Sequence, residues 1–291
     1  MNEELVVKPR NDFVFKTLFV KHTELLVDFL SYALDMPPEE IADITITNPE
    51  LLPGTYDEKF ARLDLILTQP DGTKINVEVQ NRDEGDYKER SVFNCSKMYT
   101  KDVNAGDEYK EIPRTICINI VQFPLFKDSG CICTVFPTIQ ETGEIVTDKW
   151  EIIYFQTTKL PKDKQGGLWD WIKLFTITTK GELESMENVQ TIGVKKAAGF
   201  IRKMNADDRM REIARVQERA RMTEYSALKK SREEGIQAGL KRGIKKGRQE
   251  GRQEGIIIVA KNFLKNGLTD EQVAAGTDLS LEEIRELRTQ L

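Results

Sequence analysis

The chain has 291 residues, 31% charged and 39% hydrophobic, enough to bury a core in one large or two modest domains. No run approaches the roughly 18 apolar residues of a membrane span, and Met1-Asn-Glu-Glu-Leu-Val-Val-Lys-Pro-Arg10 is acidic where a secretory leader is basic and then apolar, so a soluble cytoplasmic protein with no membrane partner is expected. The net charge of −5 is uneven: residues 201–255 hold 16 Lys or Arg against 9 Asp or Glu, a stretch that either meets phosphate or is a solvated helical surface.

Cysteine and histidine usage removes several chemistries. The four cysteines, Cys95, Cys117, Cys131 and Cys133, contain no C-x-x-C pair, and His22 is the one histidine, so a zinc ribbon or finger lacks ligands. A Ser-His-Asp triad would have to use His22, and no G-x-S-x-G elbow is present.

Residues 11–34 are dense in apolar side chains at helical spacing, broken near 21–23, and predict two short helices. Pro37-Pro-Glu-Glu40 opens another helical turn. Two period-two strands follow. In one, Leu63, Leu65 and Leu67 alternate with Arg62, Asp64 and Thr68; in the next, Ile75, Val77 and Val79 alternate with Asn76, Glu78 and Gln80. The connection Gln69-Pro-Asp-Gly-Thr73 suits a type I turn closed by a left-handed Gly72, which pairs Thr68 with Lys74 and sets Asp64 opposite Glu78, with Gln80 diagonal on the same face. Carboxylates facing across a ladder stand about 5 Å apart at Cβ and repel. Either a hard divalent cation such as Mg²⁺ sits between them, or this is a solvated sheet face with Arg62 or Arg82 as counter-ion.

Residues 84–103 read as a long helix with Arg90, Asn94, Lys97 and Lys101 along one face and Val92, Tyr99 and Val103 on another. The cationic face lines a phosphate track or is solvated. Residues 114–123, 131–136 and 150–157 are further strands, giving a mixed sheet flanked by helices, and from Leu168 onward the pattern is helical. Gly235, Gly239, Gly243, Gly247, Gly251 and Gly255 then recur every fourth residue. Each costs about 1 kcal/mol in a helix interior, so the segment is a closely packing helix or a frayed tether. The stripe drifts by about 40° per repeat, which suits a right-handed partner crossing. The last 36 residues predict three short helices, two of them opened by the capping boxes Thr269/Gln272 and Ser280/Glu283. They are helix-turn-helix-like, but the last carries Glu282, Glu283 and Glu286, which favours packing or oligomerisation over a DNA groove.

Asn11-Asp-Phe-Val-Phe-Lys-Thr-Leu-Phe19, the Asp64…Glu78-Val-Gln80 hairpin, Arg90-Ser-Val-Phe-Asn-Cys-Ser-Lys-Met-Tyr99 and the glycine-every-four tail occur in that order. Together they resemble the Rpn family of recombination-promoting nucleases, also labelled transposases, in the PD-(D/E)xK superfamily. The resemblance implies a restriction-endonuclease-like α/β fold followed by an all-α C-terminal region, and Mg²⁺-dependent endonucleolytic hydrolysis of DNA, with Mn²⁺ or Ca²⁺ as related ions. It implies Asp64 and Glu78 as metal ligands and Gln80 in the place of the superfamily lysine, a departure because glutamine supplies no positive charge. The early-helix acid of the superfamily falls on Asp12 or Glu24, and Arg90, Asn94, Lys97 and Lys101 are candidates for binding DNA phosphates. The expected division is a nuclease core over 1–160, a helical region over 161–234, a glycine-rich linker or packing helix over 235–255 and a small bundle over 256–291, with homo-oligomerisation through the C-terminal helices. The competing expectations are a DNA-binding or assembly protein with a silent core, and a transposase.

Overall fold

The computed structural model describes residues 3–41, 43–47 and 65–291. Asn11 accepts a hydrogen bond from Phe13 N and so caps α1 (Asp12–Lys21). His22, at φ −132° and ψ 70°, breaks the helical path before α2 (Thr23–Leu34), which ends at a left-handed Asp35. The break lies within the expected interval 21–23. The short α3 (Pro38–Ile41) and β1 (Thr45–Ile46) lead toward the hairpin.

β2 (Leu65–Thr68) and β3 (Lys74–Gln80) are antiparallel, with Thr68 opposite Lys74 and Leu65 opposite Val77. That is the expected register. Gly72 has φ 86° and donates to Gln69 O at 2.9 Å, while Asp71 Oδ1 accepts from Thr73 N at 2.9 Å, so turn and side chain fix the loop together.

After α4 (Tyr87–Thr100) come β4 (Thr115–Val121), β5 (Ile132–Val135) and β6 (Trp150–Gln156). Among the described residues the strands form a six-stranded sheet in the order β1-β2-β3-β4-β6-β5. β3, β4 and β6 run parallel, and the remaining pairs are antiparallel. This mixed α/β arrangement is the fold class the strand and helix patterns predict.

Alternation along β3 and β4 divides the two faces. Ile75, Val77, Val79, Ile116, Ile118 and Ile120 join the main core with α1, α2, α5 (Leu168–Thr176) and α7 (Ile192–Ala206). Phe29 lies at its centre, with ring centroids 5.7 Å from Trp171, 5.8 Å from Phe19 and Phe175 and 6.3 Å from Phe155. Helical residues beyond position 160 therefore share the core of the sheet. Between these helices, α6 (Lys180–Ser185) opens with the Thr179/Glu182 capping box, whose carboxylate also accepts from Thr178 N and is held below its usual pKa by these bonds.

The opposite face is covered by α4, through Tyr87, Ser91 and Cys95 against Cys117, Val121, Ile152 and Tyr154. The apolar face expected for this helix is overturned: Val92 is 44% exposed and Tyr99 only half-buried. The buried face is instead a polar one whose hydroxyls are satisfied. Tyr87 donates to Asn119 Oδ1 at 2.8 Å, and Ser91 Oγ lies 2.6 Å from the Tyr154 hydroxyl.

The chain divides into compact units at Met1–Arg219 and Ala220–Leu291. α8 (Asp208–Lys265) runs through the whole glycine repeat, so the segment is helix and the expected frayed tether is not seen. The expected helix beginning at Ile256 is the end of α8, which stops at a left-handed Gly267. α9 (Asp270–Thr277) and α10 (Leu281–Thr289) both carry their capping boxes, and Val273, Ile284, Ala260 and Leu264 form their small core.

Candidate functional site

β3 places Asn76, Glu78 and Gln80 on the face covered by α4, because its odd-numbered positions enter the main core. Register sets Glu78 beside Asn119 and, one strand further, Tyr154; it sets Gln80 beside Val121. Glu78 is 12% exposed at its side chain. Asp64 lies outside the described residues, and the described ladder ends at the neighbouring pair Leu65–Val77.

Arg90 is delivered to Glu78 by the first turn of α4. Its Nη2 is 4.0 Å from Glu78 Oε1, its Nη1 donates to Glu84 Oε2 at 2.5 Å, and its guanidinium carbon lies 4.9 Å from the centre of the Tyr87 ring. Its Nε is buried without a hydrogen-bond partner. With one charge-assisted bond, one longer ionic contact and a side chain 17% exposed, the guanidinium has capacity left for an incoming anion.

Gln80 donates from Nε2 to Arg82 O at 2.9 Å, which leaves its amide oxygen as the end directed elsewhere. Gln122 N donates to Gln80 O, Asn81 Nδ2 to Arg10 O at 2.9 Å and Arg10 to Gln122 Oε1 at 3.4 Å. These bonds tie the start of α1 to the C-terminal ends of β3 and β4, bringing the first turn that carries Asp12 to that edge. Glu24 is elsewhere: it is exposed on the first turn of α2, 3.1 Å from His22 Nδ1. Of the other basic-face candidates, Asn94 is half-buried while Lys97 and Lys101 are exposed, Lys101 lying just past the helix end. Lys74 pairs with Asp102 at 2.6 Å, and that bond holds the Asp102 carboxyl below its ordinary pKa.

Among the described residues no three His, Cys, Asp or Glu side chains cluster as a metal site. The donors that are described still fit a hard divalent cation, because the Glu78 carboxylate and the Gln80 amide are oxygen donors on one face. Sequence reasoning missed Glu84, which holds Arg90, and the pair Tyr87–Asn119, which seats α4. A signal for the second was present: Asn119 is a lone amide within Ile118-Asn119-Ile120 and is 1% exposed.

No curated protein and no solved structure matches the chain. The model of one family, described as PD-(D/E)XK nuclease family transposase, matches residues 9–231. The match includes the hairpin, α4 and the sheet, and it stops short of Gly235, so the glycine repeat and terminal helices lie beyond it. With more than half its length matched, and with a mixed sheet whose Glu78 lies under a helix that brings in an arginine, the chain belongs to the PD-(D/E)XK nuclease family transposases.

Proposed function

We propose that the protein hydrolyses DNA phosphodiester bonds as an endonuclease supported by a divalent cation, Mg²⁺ or a related ion such as Mn²⁺ or Ca²⁺. The observation that carries this reading is Glu78, a mostly buried carboxylate on β3 with the Arg90 guanidinium 4.0 Å away, inside the segment that matches the family. Asp64 and Glu78 would hold the ion. The described pairs Leu65–Val77 and Thr68–Lys74 have the register on which the sequence expectation for this pair rests. The bound cation lowers the pKa of water and offsets charge on the phosphoryl group.

The chain's own residues supply the rest. Gln80, fixed through Arg82 O, turns its amide oxygen toward the attacking water and orients it without supplying charge. Arg90 steadies a phosphate oxygen through the part of its guanidinium that remains exposed, its side chain being 17% accessible. Asp12 is the favoured early-helix acid because the bonds around Arg10 bring its helix start to the strand ends; Glu24 has the weaker case. Asn94, Lys97 and Lys101 extend a DNA-phosphate path along and just beyond α4. The C-terminal helical region mediates self-association, in a protein acting in the cytoplasm.

Plasmid cleavage with Mg²⁺ tests the assignment. The parent is expected to nick or linearise DNA, while Asp64→Ala and Glu78→Ala lose activity with DNA binding retained. Equal cleavage by all three proteins overturns the site. DNA binding with no cleavage by the parent favours a silent core, and strand joining in place of hydrolysis favours a transposase.

A further inference from the structure

The glycine repeat lies on a part of α8 where a methyl group added at Gly235, Gly239, Gly243, Gly247, Gly251 or Gly255 would meet nothing within 4 Å. Beside it, Ile236, Leu240 and Ile244 are 59%, 57% and 49% exposed. Six glycines weaken the helix and three large apolar side chains face water, and part of both costs is relieved if a second helix lies closely along Gly239 and Gly243.

Charge identifies that helix and its direction. Residues 241–252 contain six basic residues, Lys241, Arg242, Lys245, Lys246, Arg248 and Arg252, against one acid, Glu250. A parallel second copy would stack this segment on itself throughout. An antiparallel copy sets it against residues 230–241, where Glu233 and Glu234 lie. Arg232 and Glu250 are 18 residues apart, about five turns, so they point the same way and stand within about 20° of the line midway between Gly239 and Gly243.

We propose that a second copy of this chain pairs antiparallel along the face, with the two-fold axis at the level of Lys241, so that Gly239 meets the partner's Gly243 and Arg232 meets the partner's Glu250, twice by symmetry. The proposal rests on the self-association assigned above to the C-terminal region, and it is independent of the nuclease reading. In this register Ile236 seats in the gap between the partner's Gly243 and the partner's Gly247, while Leu240 meets the partner's Leu240 beside the axis. The same patch on both copies is self-complementary, as a closed two-fold dimer requires. Nearly aligned axes are needed, because a steep crossing would confine contact to the middle glycines and leave Arg232 and Glu250 too far from their partners. Glu250 already has Lys246 of its own chain at 3.5 Å, a pair that remains at the edge of the seam.

The test is the mass of the full chain by analytical ultracentrifugation over a concentration series. The parent is expected as a dimer of the 33.4 kDa chain. Arg232→Glu is expected to weaken association at least tenfold, and R232E/E250R to restore it, since the reversed charges meet again only in the antiparallel register. Gly239→Leu improves helix propensity, so circular dichroism will show a folded chain, yet it should abolish the dimer by filling the seam. A monomeric parent overturns both the pairing and the self-association. A dimer that survives Gly239→Leu, or a double reversal no better than the single one, overturns the pairing and leaves self-association standing.

Discussion

Arg90 stands between two carboxylates, 4.0 Å from Glu78 and 2.5 Å from Glu84, with its guanidinium over the Tyr87 ring. Its charge therefore both offsets these two carboxylates and competes with any cation that Glu78 would hold. Removing it should separate those effects. Arg90→Ala is expected to tighten Mn²⁺ binding, followed by calorimetry, while lowering the cleavage rate constant by about 10²-fold through loss of a phosphate donor. Lysine at this position should recover only part of the rate, because it lacks the planar fork. Unchanged metal affinity and unchanged rate together would remove Arg90 from the site.

Gln80 takes the place of the superfamily lysine, and its amide is anchored on Arg82 O at 2.9 Å. Gln80→Ala is expected to lose activity by an order of magnitude or more, since the water loses an orienting partner. Gln80→Lys should keep cleavage and introduce a new ionisation in the pH–rate profile, because lysine titrates and glutamine does not. Identical pH profiles for parent and lysine variant would show that position 80 does not act on the reacting water.

The Tyr87–Asn119 bond tests what seats α4 on the sheet. Tyr87→Phe leaves Asn119 Oδ1 buried without that donor, so a loss of about 1–3 kcal/mol in urea unfolding is expected. A variant as stable as the parent would mean that this bond does not help to hold the helix.

The hairpin was legible because two signals agree on it: the period-two alternation of β3 and a turn that needs the left-handed Gly72. The seating of α4 was not, because its buried positions include Tyr87 and Ser91, whose hydroxyls find partners on β4 and β6 that hydropathy cannot reveal. The continuity of α8 was hidden for a different reason. Glycine propensity argues for a break, yet spaced ion pairs support the helix just before the repeat, at Lys229–Glu233 and Lys230–Glu234, and within it, at Lys246–Glu250. For the site, the alternation correctly put Glu78 and Gln80 on one face, but Glu84 follows the strand and carries no periodic signal.

Asp28 gives a pH dependence whose sign follows from its burial, which raises its carboxyl above the ordinary value of 3.8 while a hydrogen bond from Trp171 Nε1 partly offsets the rise. A raised pKa means the folded protein disfavours the ionised form. The penalty is absent below 3.8 and grows as pH climbs through the folded-state pKa. Asp28→Asn keeps an acceptor for the indole and removes the charge, so it should raise the urea midpoint at about pH 7 by more than at about pH 4. A gain independent of pH would point to a cause other than ionisation.

The same carboxylate makes Gly193 unlike the glycines of the repeat. A Cβ at Gly193 of α7 would fall 2.2 Å from Asp28 Oδ2 on α2, and that oxygen is held by Trp171 at 2.8 Å, so the crowding cannot be relieved by turning the side chain away without breaking the bond. Gly193→Ala should therefore cost about 1–3 kcal/mol as overpacking, outweighing its gain in helix propensity. Gly251→Ala meets nothing and lies away from the proposed Gly239–Gly243 seam, so it should stabilise α8 by up to about 1 kcal/mol. Urea unfolding of the two variants beside the parent checks both signs, and a stabilising Gly193→Ala would show that α2 and α7 can move apart where Asp28 and Trp171 meet.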